Sequence, residues 1–319
     1  MWKFFSEFSL RSLISVLCLV FCLSLSAEPP ITLTQPKSVL GATALSLLFP
    51  GLGHFYLEDY PTAFGLSGAG VTELAVGLTF KYGPQFPDSK AFTNLSFTYL
   101  QNTYFYSIYA AYRDSRSTHL GASYLYDMPK DGLDELAFAP INWRVLKKPE
   151  VWLGLLGAVL LGTGISYLSQ SVFPFTPPGS PATPLTPTQI VANELYYAAM
   201  TPSIGIGEEA FFRGFAQPVF SEFLTPPGGI AASSLLFGAA HIPNAYLFKN
   251  ANFQRGYFAL SLPFLTSLGA YLGWVSFKNK SIQETVALHT WYDFVMFSMA
   301  IFSSSIAAGS PNFSFTIPF

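Results

Sequence analysis

Charged side chains are scarce in this chain. Its 319 residues include only 16 Lys and Arg and 18 Asp and Glu, which is 11%. A soluble globular protein carries about 25%, so this sequence lacks the charges needed to cover a water-exposed surface. Half of the residues are hydrophobic, which excludes a disordered chain, and the net charge of −2 gives no electrostatic basis for binding nucleic acid. The composition predicts an all-α membrane protein with several spanning helices.

Cysteine is almost absent as well. Cys18 and Cys22 both lie in the first apolar run, residues 12–27, so a disulfide framework is excluded. This run is short for a membrane span and suits the core of a signal peptide. We therefore predict that residues 1–27 are a signal peptide, with an uncleaved first membrane helix as the alternative.

Long runs with few charges predict the remaining membrane helices. The sequence favours a polytopic helical bundle of about seven to eight spans, in addition to the signal-like helix. The runs cover residues 38–57, 61–80, 91–112, 151–173, 190–224, 228–248, 256–277 and 281–308.

Basic residues orient these predicted spans. Residues 113–150 hold six of the sixteen basic residues, and such loops lie on the cytoplasmic side of a membrane. When the spans alternate in direction, Lys278 and Lys280 fall on the same side. We divide the chain near residue 150, into accessory helices with a cytoplasmic loop (residues 28–150) and a bundle whose apolar runs carry the ionisable residues of the candidate site (residues 151–319).

Two adjacent carboxylates mark the first candidate functional cluster. Glu208 and Glu209 lie in an apolar stretch, where a charge is costly unless it is paired or functional. Glu209 and Arg213 are four residues apart and would share a helix face, where they can form an ion pair. Glu208 would then point about 100° away, towards a site.

Two histidines mark the second and third clusters. His241 is followed by Pro243, which is predicted to end or kink the helix directly after the histidine. His289 and Asp293 are four residues apart on one helix face, where the carboxylate can orient the ring or supply a metal ligand. Taken singly, a hydrogen-bonded histidine at a helix end and a buried polar pair between helices explain these clusters equally well.

Taken together, the clusters indicate hydrolysis. Glu and His side chains on successive helices can bind a catalytic metal and activate water, and Glu208 can act as a general base. The sequence contains no G-x-S-x-G and no H-E-x-x-H, and both cysteines lie in the signal-like run. Activated water is therefore the better nucleophile than a side chain.

The three clusters read E-E-x-x-x-R-G, F-x-x-x-H and H-x-x-x-[N/D], in that order. This pattern resembles the CPBP intramembrane metalloproteases, which include the type II CAAX prenyl endopeptidases and bacterial Abi-like immunity proteins. The resemblance covers residues 189–308. It implies an α-helical membrane endopeptidase whose site lies within the bilayer and whose substrates are membrane-embedded or membrane-anchored proteins.

The resemblance also implies roles for the motif residues. Glu208 would be the essential glutamate that activates water together with His241, and His289 would be a metal ligand or an oxyanion stabiliser. Asp293 stands where many members have Asn, which fits a metal-ligating or ring-orienting role better than an oxyanion role. The implied catalytic set is Glu208, Glu209, Arg213, His241, His289 and Asp293. The expected cofactor is a divalent metal ion, zinc, and the ligand set would be Glu208, His241, His289 and Asp293.

Two other functions remain open at this point. A catalytically silent relative could act as a membrane scaffold or immunity protein, and a proton-coupled transporter could use Glu208, His241 and Asp293 as a relay. A protease needs the side chains of Glu208, His241 and His289 to converge within a few Å, whereas a transporter needs ionisable residues spaced along a path across the bilayer. The signal-like segment suggests a bacterial inner membrane, so we do not carry over the specificity for prenylated C-termini.

A short P-G-x-G-x-x-Y motif occupies residues 50–56, outside the resemblance. Its glycines are predicted to allow tight helix packing. His54, within the motif, is expected at the membrane interface rather than as a metal ligand.

Overall fold

The computed structural model describes residues 37–83, 88–118, 128–175 and 185–306. The predicted signal peptide lies outside these residues, as does most of the Pro-rich segment before residue 185. Within the described ranges the secondary structure is helical and contains no strand, which confirms the all-α prediction.

The chain forms two compact units. One comprises Met1–Ser123 with Gly132–Asp134, and the other comprises Tyr124–Asp131 with Glu135–Phe319. Residues 135–150, which we grouped with the N-terminal half, therefore belong to the C-terminal unit. The functional division near residue 150 stays a prediction.

Four helices build the described part of the N-terminal unit: α1 (Val39–Leu48), α2 (Leu52–Leu57), α3 (Tyr60–Tyr82) and α4 (Ser89–Thr118). The predicted run 38–57 is broken between α1 and α2, where Gly51 adopts a φ of +85°. A residue with a β-carbon rarely adopts this conformation, so glycine allows the sharp turn here.

Helices α1 and α2 approach each other closely at Gly53, the second glycine of the P-G-x-G-x-x-Y motif, where a larger residue would not fit. A β-carbon at Gly53 would lie 2.3 Å from the Ala42 carbonyl oxygen and 2.9 Å from the Ala111 side chain. This confirms that the motif serves helix packing. The next residue, His54, is fully buried by its neighbours, and its position at the membrane interface stays a prediction.

A buried ionic network in the N-terminal unit joins His54, Arg113 and Asp114. The Nε2 of His54 lies 3.2 Å from Asp114 Oδ2, and Arg113 donates to Asp114 Oδ1 over 2.6 Å. Burial alone would raise the pKa of Asp114, but the Arg113 charge and the His54 hydrogen bond hold that pKa below its ordinary value. The carboxylate therefore stays ionised within this network.

The rest of the described chain continues with α5 (Leu133–Phe138), a 3₁₀ turn (Ala139–Ile141), α6 (Trp143–Leu146), α7 (Pro149–Val172), α8 (Pro187–Glu209), a π-helical turn (Ala210–Ala216), α9 (Gln217–Leu224), α10 (Pro226–Ala240), a 3₁₀ turn (Ile242–Tyr246), α11 (Ala251–Gly256), a second π turn (Tyr257–Ser261), α12 (Leu262–Asn279) and α13 (Gln283–Ile306). Helix α13 packs against α7 and α8, and α12 packs against α10.

Three helices of the described chain are long and apolar enough to cross a membrane: Tyr60–Tyr82, Pro149–Val172 and Ala251–Asn279. Together with the composition they identify an integral membrane protein. The larger count of seven to eight spans stays a prediction.

The start of α13 is held by a side-chain cap. Asp131 accepts hydrogen bonds from the Ile282 backbone N–H over 2.7 Å and from the Gln283 side chain over 2.8 Å. Further along α13, the Trp291 indole donates to the Pro140 carbonyl over 2.8 Å. The segment before α7 thereby positions the helix that carries His289.

The close packing at Gly53 predicts a large effect of a single methyl group. Gly53→Ala should lower the free energy of unfolding by about 1–3 kcal/mol, because the Ala42 backbone cannot move aside without distortion. Gly68→Ala is the matched control, since a β-carbon at Gly68 would meet no atom within 4 Å. The measurement is denaturant unfolding of the purified chain in detergent, and equal stabilities of the two variants would contradict the packing role.

Candidate active site

The first motif lies where an α-helix widens into a π turn. Helix α8, the π turn Ala210–Ala216 and α9 follow one another without interruption. Pro218, in the first turn of α9, has no N–H to donate to the preceding turn, which favours a local change in hydrogen-bond register. Such π turns occur mostly inside α-helices and often at functional sites.

The predicted ion pair of the motif is present and buried. Arg213 NH1 donates to Glu209 Oε1 over 2.8 Å, and both side chains are at most 1% exposed. Arg213 NH2 also donates to the Gly269 carbonyl over 3.1 Å, and the guanidinium lies 4.4 Å from the centre of the Phe237 ring. These contacts replace the water that a buried charge loses.

Glu209 also binds the histidine of the third motif. His289 Nδ1 lies 2.7 Å from Glu209 Oε1. A carboxylate only accepts, so Nδ1 carries the proton of this bond and the ring orientation is fixed. The opposite nitrogen, Nε2, lies 3.9 Å from Glu208 Oε2 and 3.6 Å from Asp293 Oδ2.

Glu208 differs from its neighbour. Its side chain is 15% exposed, against 0% for Glu209. Its carboxylate forms no hydrogen bond with another described residue, whereas Glu209 accepts two through Oε1 and leaves only Oε2 unpaired. The two carboxylates therefore point in different directions, as the helical spacing predicts. Glu209 is held in the ion pair, and Glu208 faces His289 with an oxygen available for a ligand.

His241 lies at the end of its helix. Helix α10 ends at Ala240 and a 3₁₀ turn containing Pro243 follows, as predicted. The Phe237 carbonyl lies 2.7 Å from His241 Nδ1 and can only accept, so Nδ1 carries the proton and Nε2 presents a lone pair. The Tyr257 hydroxyl donates to the His241 carbonyl over 2.9 Å, which satisfies a backbone group that the helix end leaves free.

Phe237 connects the histidines and the ion pair. Its ring centre lies 4.6 Å from that of His241 and 6.1 Å from that of His289, and it also carries the Arg213 guanidinium on its face. The structure thus joins His241 to the other motif residues through a shared aromatic contact. The residues that contact one another directly are Glu208, Glu209, Arg213, His289 and Asp293.

The predicted metal ligands have suitable chemistry but not the required proximity. Among the described residues, the group of three whose ligand atoms all lie within 4.8 Å of one another is His54, Asp59 and Asp114. The predicted ligand set is Glu208, His241, His289 and Asp293. No three of these residues form such a group among the described residues. Zinc stays a prediction, and no step below is routed through it.

Two supporting residues were not anticipated from the sequence. Gly205 lets α8 and α13 approach, since a β-carbon there would lie 2.5 Å from Thr290 Oγ1. The small residues ahead of Glu208 are a signal for such packing. Tyr257 is nearly fully buried and reaches His241 from the second π turn, and no sequence pattern marks it.

The different surroundings of the two glutamates predict different effects on stability. Glu209→Gln should lower the free energy of unfolding by about 3–5 kcal/mol, because Arg213 would remain as a buried charge without its partner. Glu208→Gln, the matched control one residue away, should change it by less than about 1 kcal/mol. Unfolding of both variants in the same detergent measures this, and equal losses would contradict the assignment.

Comparison with known proteins supports the sequence motifs. Residues 191–295 match a family model described as type II CAAX prenyl endopeptidase Rce1-like, which covers about a third of the chain and includes every motif residue. No curated protein and no solved structure matches the chain. The recognition from the three motifs is therefore confirmed: the chain carries an Rce1-like segment, consistent with a CPBP family protein and, at the family level, with a CAAX-type intramembrane protease.

Proposed function

We propose that this protein is an intramembrane endopeptidase that hydrolyses membrane-embedded or membrane-anchored proteins with water activated by Glu208 and His241. One observation carries the proposal. Of two adjacent glutamates, Glu209 is held through Oε1 by Arg213 and His289, whereas Glu208 is partly exposed and its carboxylate forms no hydrogen bond with another described residue. A carboxylate placed in this way is suited to bind and deprotonate water.

The two histidines supply complementary functions in this mechanism. His241 holds its proton at Nδ1 against the Phe237 carbonyl, so its Nε2 lone pair can accept a hydrogen bond from the same water. As the water attacks the peptide carbonyl, Glu208 takes its proton and later passes it to the leaving amine. Both transfers use groups of this chain alone.

His289 would stabilise the oxyanion that forms. Its ring is fixed by Glu209, and its Nε2 edge faces Glu208 and Asp293. In its doubly protonated form, Nε2 would donate a hydrogen bond to the developing negative charge. Asp293, at 3.6 Å from Nε2, would orient the ring in the place where many family members have Asn.

The contacts within the motif favour a hydrolase over a transporter. A proton relay needs ionisable groups spaced along a path across the bilayer, but Glu208 and Asp293, two of the three predicted relay residues, lie 3.9 and 3.6 Å from the same nitrogen, His289 Nε2. A silent scaffold would tolerate loss of Glu208, so activity measurements separate that alternative. We place the protein in a bacterial inner membrane and propose no specificity for prenylated C-termini.

Removing either water-activating group should abolish proteolysis. In Glu208→Gln and in His241→Ala, turnover of membrane-protein substrates by the purified chain in liposomes should fall by about 10²–10⁴-fold, the contribution of general acid–base catalysis. Glu222→Gln, a carboxylate further along the same helical segment, is the control and should retain turnover. Products are compared by mass spectrometry of a reconstituted membrane proteome, and identical product patterns from the wild type and the two site variants would refute the mechanism.

Chelation tests the zinc prediction on the same preparation. If zinc takes part, a chelator should stop turnover of the wild type and zinc add-back should restore it. Unchanged turnover after chelation, with the metal content verified as removed, would contradict the zinc prediction and leave the Glu208 and His241 roles in place.

A further inference from the structure

Two candidate membrane spans end side by side in the C-terminal unit. One begins at Pro149 and the other ends at Asn279. The Asn279 side chain accepts from Lys148 Nζ and donates to Glu150 Oε1, each over 3.1 Å. Lys278 forms an ion pair with Glu150 at 3.1 Å. Because these contacts join the two helix ends, both ends lie at the same membrane surface.

Large apolar side chains project from the chain at this end. Ile141 and Trp143 are each 70% exposed and Phe138 is 50% exposed. They lie directly before α7, while buried Val145 and the Pro140 carbonyl attach the segment to the bundle. In water such exposure is unfavourable, but the boundary between headgroups and acyl chains accommodates Trp and Phe well.

Positive charge accompanies these side chains. Residues 138–148 contain Arg144, Lys147 and Lys148 and no acidic residue. Lys148 is paired with Glu284. Arg144 and Lys147 are exposed, and neither forms an ion pair with another described residue. The segment therefore presents apolar groups together with two exposed cations, and the exposed carboxylates of Asp134 and Glu135 lie four and three residues before Phe138.

We propose that this surface binds anionic phospholipids of the bilayer that the chain spans. We call it the interfacial patch, and it consists of Phe138, Ile141, Trp143, Arg144 and Lys147. The apolar side chains insert below the headgroups, and the two cations contact lipid phosphates. Each basic residue near an anionic leaflet favours the contact about fivefold. The inference does not depend on the proposed proteolytic function.

The interfacial patch lies on a segment that is hydrogen-bonded to α13. The segment that carries the patch receives the Trp291 hydrogen bond at the Pro140 carbonyl. Trp291 lies two residues from His289 on α13. An anionic lipid bound at the patch would therefore lie next to the segment that holds α13, the helix that carries His289.

Quenching of Trp143 fluorescence by brominated lipids tests the proposal. The full-length chain is placed in nanodiscs that contain, at the same low mole fraction, either brominated phosphatidylglycerol or brominated phosphatidylcholine. The chain has five Trp residues, so the difference between wild type and Trp143→Phe isolates the Trp143 signal. We expect the anionic lipid to be enriched about fivefold or more over the neutral lipid at this residue.

Charge variants separate lipid selectivity from simple burial in the membrane. Arg144→Gln with Lys147→Gln should remove the excess quenching by the anionic lipid and leave quenching by the neutral lipid unchanged. Arg144→Lys with Lys147→Arg should retain the excess. Lys249→Gln with Arg255→Gln, at the opposite end of the 251–279 helix, is the matched control and should also retain it.

Three outcomes would overturn the proposal. Equal quenching of Trp143 by the two lipids in the wild type would show that the patch does not select anionic headgroups. No quenching by either lipid would show that the patch lies outside the bilayer interface. Excess quenching that survives Arg144→Gln with Lys147→Gln would show that other groups attract the lipid.

Discussion

The Glu209 carboxylate is the contact on which the candidate site depends. One of its oxygens accepts from Arg213 and from His289, and Arg213 in turn binds the Gly269 carbonyl. This one ionic cluster therefore links α8, the π turn, α12 and α13. A charge buried in a membrane protein persists only when it is paired and hydrogen-bonded, so the cluster constrains the relative positions of these helices and fixes the His289 ring. Glu208 lies outside the cluster and is the carboxylate that we propose to activate water.

The scarcity of charge applies to the whole chain, and the charges that remain are used in three ways. Some are buried in closed networks, such as Arg113 with Asp114 in the N-terminal unit. Glu208 is partly exposed and lacks such a partner among the described residues, which supports its proposed functional role. Others collect where predicted spans meet the membrane surface, as at Arg144 and Lys147. The buried charges therefore hold helices together, and the charges at the predicted span ends indicate the orientation of the chain in the bilayer.

Short-range features of the site followed from the sequence, and long-range ones did not. The Glu209–Arg213 pair followed from a spacing of four residues, and the end of α10 at His241 followed from Pro243. The bond from Glu209 to His289 joins residues 80 positions apart, and no local pattern encodes it. The π turn and the Phe237 contacts depend on how α10 packs against its neighbours. The break at Gly51 depends on a backbone conformation that cannot be predicted from an apolar run. The helical class followed from composition, while the number of spans was not fixed by it.

The most direct test of this account is a double-mutant cycle between Glu209 and Arg213. The free energies of unfolding are measured for wild type, Glu209→Gln, Arg213→Met and the double variant in one detergent. If the ion pair organises the site, the losses are non-additive by about 1–3 kcal/mol, because the second substitution removes the charge that the first left unpaired. Losses that add to within about 0.5 kcal/mol would contradict the central role of this pair.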